Sequence, residues 1–332
     1  MSNGEGAVNV QQASRASAGT KGPEGLDEGP FDTNIKPKRR VERKGQILTG
    51  ACVLFVVVVV ATLIYMVCSR GLSTFLSDGV SPASFFLGTT WNPHQASDTG
   101  ELLVGALPMI CGSFAVTLLS CLISLPFALG AAIFVVEISP TFGSRVFRPM
   151  VELLTGIPSV VFGLVGLEIV VAWVRGWSGT TGYGILAGSI VLAFMILPTV
   201  TSLATDAIAA VPDSYRDGSY GLGCTRWQTI VHVVLPSALP GILTAVIMGM
   251  TRAFGEALAV QMVVGNAAQM PRGLVTPAAT LTSVLTMSMG NETMGTVYSD
   301  VLWSLALVLL AMSLVFILVV HLVGRKGARA NG

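Results

Sequence analysis

Charge is what this sequence has least of. Of its 332 residues, 19 are Lys or Arg and 18 are Asp or Glu, so charged side chains make up only 11%. Soluble domains carry about 25%, and a chain this poor in charge cannot coat a water-facing surface on all sides. Cysteine is sparse as well: the five, Cys52, Cys68, Cys111, Cys121 and Cys224, lie mostly inside apolar runs. None has CxxC or zinc-ligand spacing, so they read as free thiols serving as small apolar residues. No G-x-x-x-x-G-K-[ST] phosphate loop occurs, which excludes ATP hydrolysis by that mechanism within this chain. No Ser/His/Asp arrangement stands out, and His232 has no second ligand nearby, so a solvated or packed imidazole is favoured there. No internal repeat is strong enough to use. An enzyme reading therefore has little support.

Apolar residues fill the space that charge leaves. They make up 52% of the chain, and the mean hydropathy is +0.73. A bilayer crossing takes about 20 mainly apolar residues, and six runs qualify: Ile47–Cys68, Leu103–Val136, Val151–Val174, Tyr183–Ala204, Ser237–Val264 and Val301–Val323. The second holds Pro126, where a bend is expected. Ahead of the first run, residues 1–46 form a polar tail ending in Lys36, Lys38, Arg39, Arg40, Arg43 and Lys44. This reads as a disordered tail with a membrane-flanking basic patch. A cleaved signal peptide fits poorly, because the apolar run is too long and a long polar tail precedes it.

Basic residues set the orientation. With the N-terminus inside, the tail cluster, Arg145, Arg148, Arg216, Arg226, Arg325, Lys326 and Arg329 are cytoplasmic, leaving Arg70, Arg175 and Arg272 outside. The positive-inside rule then predicts that both termini are cytoplasmic. The external segment 71–102 carries Trp91-Asn92-Pro93 and the acids Asp98 and Glu101, while 267–300 suits short interfacial helices. The longest internal loop, 206–236, is patterned. Asp213 and Asp217 supply first-turn acids, Gly221 and Gly223 punctuate it, and Trp227, Ile230, Val231 and Val234 follow at roughly helical spacing. A short amphipathic helix, a turn and a second short helix are expected, an element suited to docking in another protein's groove.

Two charges lie inside the fifth run. Arg252 and Glu256 are four apart, which in a continuous helix puts them on one face where each compensates the other. Ionisable groups in a membrane core are costly and mark a transport path by default. Glu152 is placed at the cytoplasmic edge of the third run; Glu168 is deeper in it and unexplained.

The internal loop resembles the coupling motif of ABC-importer permeases, written EAA, three residues, Gly, nine residues, Ile-x-Leu-Pro. Asp217-Gly218-Ser219 takes the EAA place, Gly223 the Gly, and Val233, Leu235 and Pro236 close it at matching spacing. The stretch Arg252-Ala253-Phe254-Gly255-Glu256 through Asn266 is similar to the phosphate-specific permease of the PstC type. So are Glu152–Gly163 and the Pro126–Gly130 run with Glu137. The partner permease, PstA type, is the nearest competitor.

This resemblance implies an all-α membrane protein with the type I ABC importer permease fold. A permease core would span 103–324, after a cytoplasmic tail (1–46), a first helix (47–68) and an external loop (69–102), and before a C-terminal tail (325–332). It also implies a PstA-type partner permease, two cytoplasmic ATPase subunits, an external phosphate-binding protein and inorganic phosphate as solute, in a prokaryotic cell membrane. Lipid surrounds it; no cofactor and no nucleic acid is implied. Other solutes (molybdate, sulfate or an amino acid) form the first alternative, a secondary transporter or channel the second, and a membrane scaffold or sensor the third.

Arg252 then has two readings: a structural pair with Glu256, or a phosphate contact through bidentate guanidinium hydrogen bonds. Glu256 repels an anion, so it is a latch on Arg252 or an acceptor for a phosphate OH. Thr155, Ser159 and Thr251 offer pathway hydroxyls, although such groups mostly bond to their own helix carbonyls. Gly156, Pro158, Gly163 and Gly166 suit close helix packing and a bend. Trp227 is an interfacial anchor or a coupling contact.

Overall fold

The computed structural model describes residues 39–96, 102–293 and 295–330; the acids Asp98 and Glu101 and the tail before Arg39 lie outside these. The chain divides into two units, Met1–Val60 and Ala61–Gly332. In the first, residues 45–60 belong to a helix and expose every side chain.

The helices are α1 (Arg39–Leu76), α2 (Pro82–Leu87), α3 (Leu107–Ile133), α4 (Pro140–Phe142), α5 (Arg148–Thr155), α6 (Ser159–Val165) and α7 (Ala172–Ser178). They continue as α8 (Ile185–Ala209), α9 (Asp213–Gly221), α10 (Arg226–Thr229), α11 (Leu235–Phe254), α12 (Leu258–Val264), α13 (Leu281–Ser288) and α14 (Val297–Ala330). A small antiparallel hairpin joins β1 (Trp91–Ala96) to β2 (Leu102–Val104) within the segment expected to be an external loop. Wide π turns extend α3 over Phe134–Ile138, link α6 to α7 over Gly166–Val171, and lead into α11 over Ile230–Val234.

Six helical stretches among the described residues are long and apolar enough to cross a membrane: Gly45–Leu76, Leu107–Ile138, Ser159–Ser178, Ile185–Ala209, Arg226–Phe254 and Val297–Val319. The expected six crossings are all present, with shifted ends. Two shifts matter. Val151–Thr155 is separated from the third crossing by the non-helical Gly156–Pro158, and the fifth helix stops at Phe254 rather than at Val264. α3 runs through Pro126 as one continuous helix.

Small residues let the backbones approach. A Cβ on Gly163 would lie 2.7 Å from the Met262 sulfur and 3.2 Å from Ala259 Cα, and one on Gly166 2.4 Å from Val191. Without a hydrophobic drive between helices in lipid, such close packing is what holds them together. α3, α8 and α12 share one core with Val116, Leu192, Ile196, Val260 and Val263. A second core lies at the hairpin end around Phe85, Met109, Leu281 and Leu302. A third lies at the α9 end around Ala204, Ile208, Val234 and Ile242.

Candidate functional site

The loop between α8 and α11 folds as its pattern requires. Pro212, in extended conformation, precedes α9, and Asp213 supplies a first-turn acid that complements the helix N-terminus. Gly223 then takes φ of +82°, the left-handed region that glycine reaches without strain. Thr225 and Gln228 form a reciprocal capping box that starts α10. Ser219 Oγ lies 2.9 Å from Thr229 Oγ1 and ties the two short helices together.

Of the expected coupling residues, Ser219 is buried and Leu235 half-buried, whereas Asp217, Gly218, Gly223 and Pro236 are exposed. Beside them Tyr215, Tyr220, Leu222 and Trp227 are exposed too, Leu222 at 87%. These make an apolar patch at the end of the helices rather than along them. His232 is exposed, with Nδ1 at 3.2 Å from the Gln228 carbonyl.

Underneath α9 is a buried ion pair that sequence reasoning missed. Arg216 donates from Nε and Nη2 to Glu137 Oε1, at 3.0 and 2.9 Å. It also donates to the carbonyls of Val211 (2.6 Å) and Ile208 (3.1 Å), and to Asp213 (3.1 Å). Arg226 donates to the Glu137 carbonyl oxygen. Two arginines of the loop thus close on one residue at the end of α3. The only signal in the sequence was a lone carboxylate ending an apolar run; its partner is 79 residues away.

The expected Arg252–Glu256 pair does not form. α11 ends at Phe254, Gly255 follows as its cap, and a new helix begins only at Leu258. Glycine favours the stop, and the tertiary contacts fix it. Thr282 Oγ1 donates to the Glu256 carbonyl at 2.9 Å, and Glu256 Oε1 accepts from Ala259 N at 3.4 Å, capping α12. With the helix broken between them, a spacing of four no longer sets the two side chains on one face, and no ion pair joins them. Arg252 instead donates to Thr199 Oγ1 on α8, one residue after Pro198 inside that helix.

Glu256 borders a cavity of about 10 Å³ that is also lined by Ser113, Thr117, Thr280 and Thr282, room for roughly one water molecule. Leu281 N donates to Ser113 Oγ at 2.9 Å, which pins this wall to α3.

The three hydroxyls differ. Thr251 donates to the Ile247 carbonyl of its own helix at 2.9 Å. Thr155 is exposed at the end of α5, and Ser159 is half-buried at the first residue of α6. Gly163 faces Ala259 and Met262 while Gly166 faces Val263, so α6 and α12 run in the same direction from adjoining ends. Ser159 therefore starts its helix beside the break that carries Glu256. The side chain of Glu152 lies outside the described residues.

Residues 124–327 match the family described as "Binding-protein-dependent transport system inner membrane component". The chain is 47% identical over 281 residues to the probable ABC transporter permease protein YqgH of Bacillus subtilis, covering 84% of this chain and 90% of that protein. It is 32% identical over 250 residues to the phosphate transport system permease protein PstC of Mesorhizobium japonicum, covering 69% and 74%. A chain of the inward-facing MetNI methionine ABC transporter superposes with a TM-score of 0.51 at 17% identity, over 66% of this chain and 94% of that one. That last likeness concerns the fold alone, and the fold is that of a type I ABC importer permease. The broken helices, the loop joining α8 to α11 and these matches lead to one conclusion: the chain belongs to the binding-protein-dependent transport system inner membrane components, the membrane-spanning permease subunits of ABC transporters.

Proposed function

We propose that this chain is the PstC-type half of an ATP-driven importer of inorganic phosphate. Arg252 carries the reading: a guanidinium at the end of a membrane helix, two residues ahead of a backbone break. Non-helical backbone at membrane depth is tolerated where it is enclosed by protein or lines a water-filled path, and broken helices mark solute sites in transporters. Thr199 takes one of the five guanidinium donors, and the rest suit the oxygens of a passing phosphate. Relatives named as phosphate permeases add support, at 32% identity in Mesorhizobium japonicum and 28% in Xylella fastidiosa.

Glu256 accepts one long hydrogen bond, from Ala259 N at 3.4 Å, at the start of α12, and its part is to hold the broken helix and keep anions on the Arg252 side. Thr155, Ser159 and Thr251 flank the route. Asp217, Gly218, Ser219, Gly223, Leu235 and Pro236 build the ATPase-facing element, whose exposed patch docks onto one of the two ATPase subunits of the complex. A PstA-type permease completes the pathway, and a phosphate-binding protein supplies the solute from outside. Both termini are cytoplasmic, in a prokaryotic cell membrane.

The test is uptake of radiolabelled phosphate by the assembled complex. Arg252→Gln is expected to abolish uptake with subunit assembly intact, and arsenate to compete better than sulfate or molybdate. Normal uptake by that variant removes Arg252 from the pathway, and preferential competition by sulfate or molybdate removes phosphate as the solute.

A further inference from the structure

At the middle of its third crossing the chain exposes a carboxylate that none of its own described residues neutralises. Glu168 is the tenth residue of the 20-residue span Ser159–Ser178, on the π turn Gly166–Val171. The inward side of this span is fixed: Gly163, Gly166, Val171 and Val174 are buried. The outward side is a continuous stripe of Val161, Leu164, Val165, Glu168, Ile169 and Trp173, all exposed. Among the described residues no hydrogen bond or ion pair reaches the Glu168 carboxylate. Arg175, on the same span, is engaged with the Thr181 carbonyl at 3.0 Å.

Three surroundings compete for such a face. Lipid tails offer no hydrogen-bond donor, so a mid-membrane carboxylate does not face them stably. A water-filled path needs polar walls, yet every other residue of this stripe is apolar. Another transmembrane helix meets both requirements, because apolar side chains pack along the stripe and a donor answers the carboxylate. A second copy of this chain is a poor match. Its Arg252 lies two residues before the end of its own span, and Arg70, Arg175 and Arg226 also lie toward the ends of theirs.

We infer that the Val161–Trp173 stripe is the seam against the second, different permease subunit, and that a basic side chain of that subunit pairs with Glu168 at mid-membrane. The inference rests on the two-permease reading and not on which solute crosses. It is tested on the full complex in membranes, with a photo-crosslinking amino acid at Ile169, Glu168 left native, and the second permease tagged. The expected result is an adduct with the tagged permease at a site adjoining a Lys or Arg. Glu168→Lys is expected to cut co-purification of the tagged subunit at least tenfold, Glu168→Asp to keep it within twofold, and an acidic replacement of the crosslinked basic residue to restore it in the Glu168→Lys background. Adducts with lipid alone, adducts between two copies of this chain, or wild-type co-purification by Glu168→Lys overturn the inference. If Glu168→Lys fails to insert, the crosslink at Ile169 decides alone. Loss of phosphate specificity leaves this readout unchanged, so the two ideas fail separately.

Discussion

Arg216 serves four acceptors at once: Glu137, Asp213 and the carbonyls of Ile208 and Val211. The acceptors are not equal. Glu137 retains 6% exposure and Asp213 91%. Removing one partner of a buried pair leaves an uncompensated charge, at about 3–5 kcal/mol, whereas exposed pairs contribute about 0–1 kcal/mol. Glu137→Ala is therefore expected to lower the melting midpoint of the detergent-purified complex by several degrees, and Asp213→Asn to leave it nearly unchanged. Equal midpoints for the two variants count against the buried tie.

Arg252 was legible in the sequence, because a guanidinium in an apolar run has few explanations. Its bond to Thr199 and the Glu137–Arg216 pair were not. Their members are 53 and 79 residues apart, and one sequence carries no record of which distant side chains meet.

Among the elements, the turn at Gly223 gives the sharpest test. Its φ is +82°, yet a Cβ there would meet nothing within 4 Å. The cost of a side chain is then conformational, about 1–2 kcal/mol for an ordinary residue in the left-handed region and less for Asn or Asp. Gly223→Asn is expected to keep ATP hydrolysis tied to uptake. Gly223→Val is expected to misplace α9 against α10 and raise the ATP hydrolysed per solute carried. Equal coupling ratios in the two variants remove the turn from the coupling element.

The helix–turn–helix between α8 and α11 was readable because its acids, glycines and capping residues act locally. The break after Phe254 was not. Apart from Glu256 and Gln261 the run stays apolar or small through Val264, and what stops the helix includes a hydroxyl from Thr282, 26 residues on.

Viewed whole, the molecule is dominated by apolar surface left uncovered. Residues 45–66 are exposed throughout, and Leu118, Leu122 and Phe127 on α3 are exposed at 53–69%. Lipid or other subunits must cover such a surface. Orientation is tested with a membrane-impermeant maleimide on chains whose native cysteines are replaced. A cysteine at Leu222, on the loop after α9, is expected to react only after the cytoplasmic side is opened. One at Leu87, at the end of α2, should react in intact cells. The reverse pattern inverts the topology.

By itself the sequence determined the membrane class, the number of candidate crossings, the helix–turn–helix between α8 and α11 and the presence of an arginine inside an apolar run. Each follows from composition, run length or spacings within a few residues, where local physics suffices. Only the tertiary structure decided that Arg252 turns to Thr199, that Glu256 caps a separate helix, that Glu137 grips Arg216, and that Glu168 faces outward. Those outcomes depend on which helices touch, and that is set by close packing at Gly163 and Gly166 and by hydroxyls reaching across the chain, which a linear pattern does not encode.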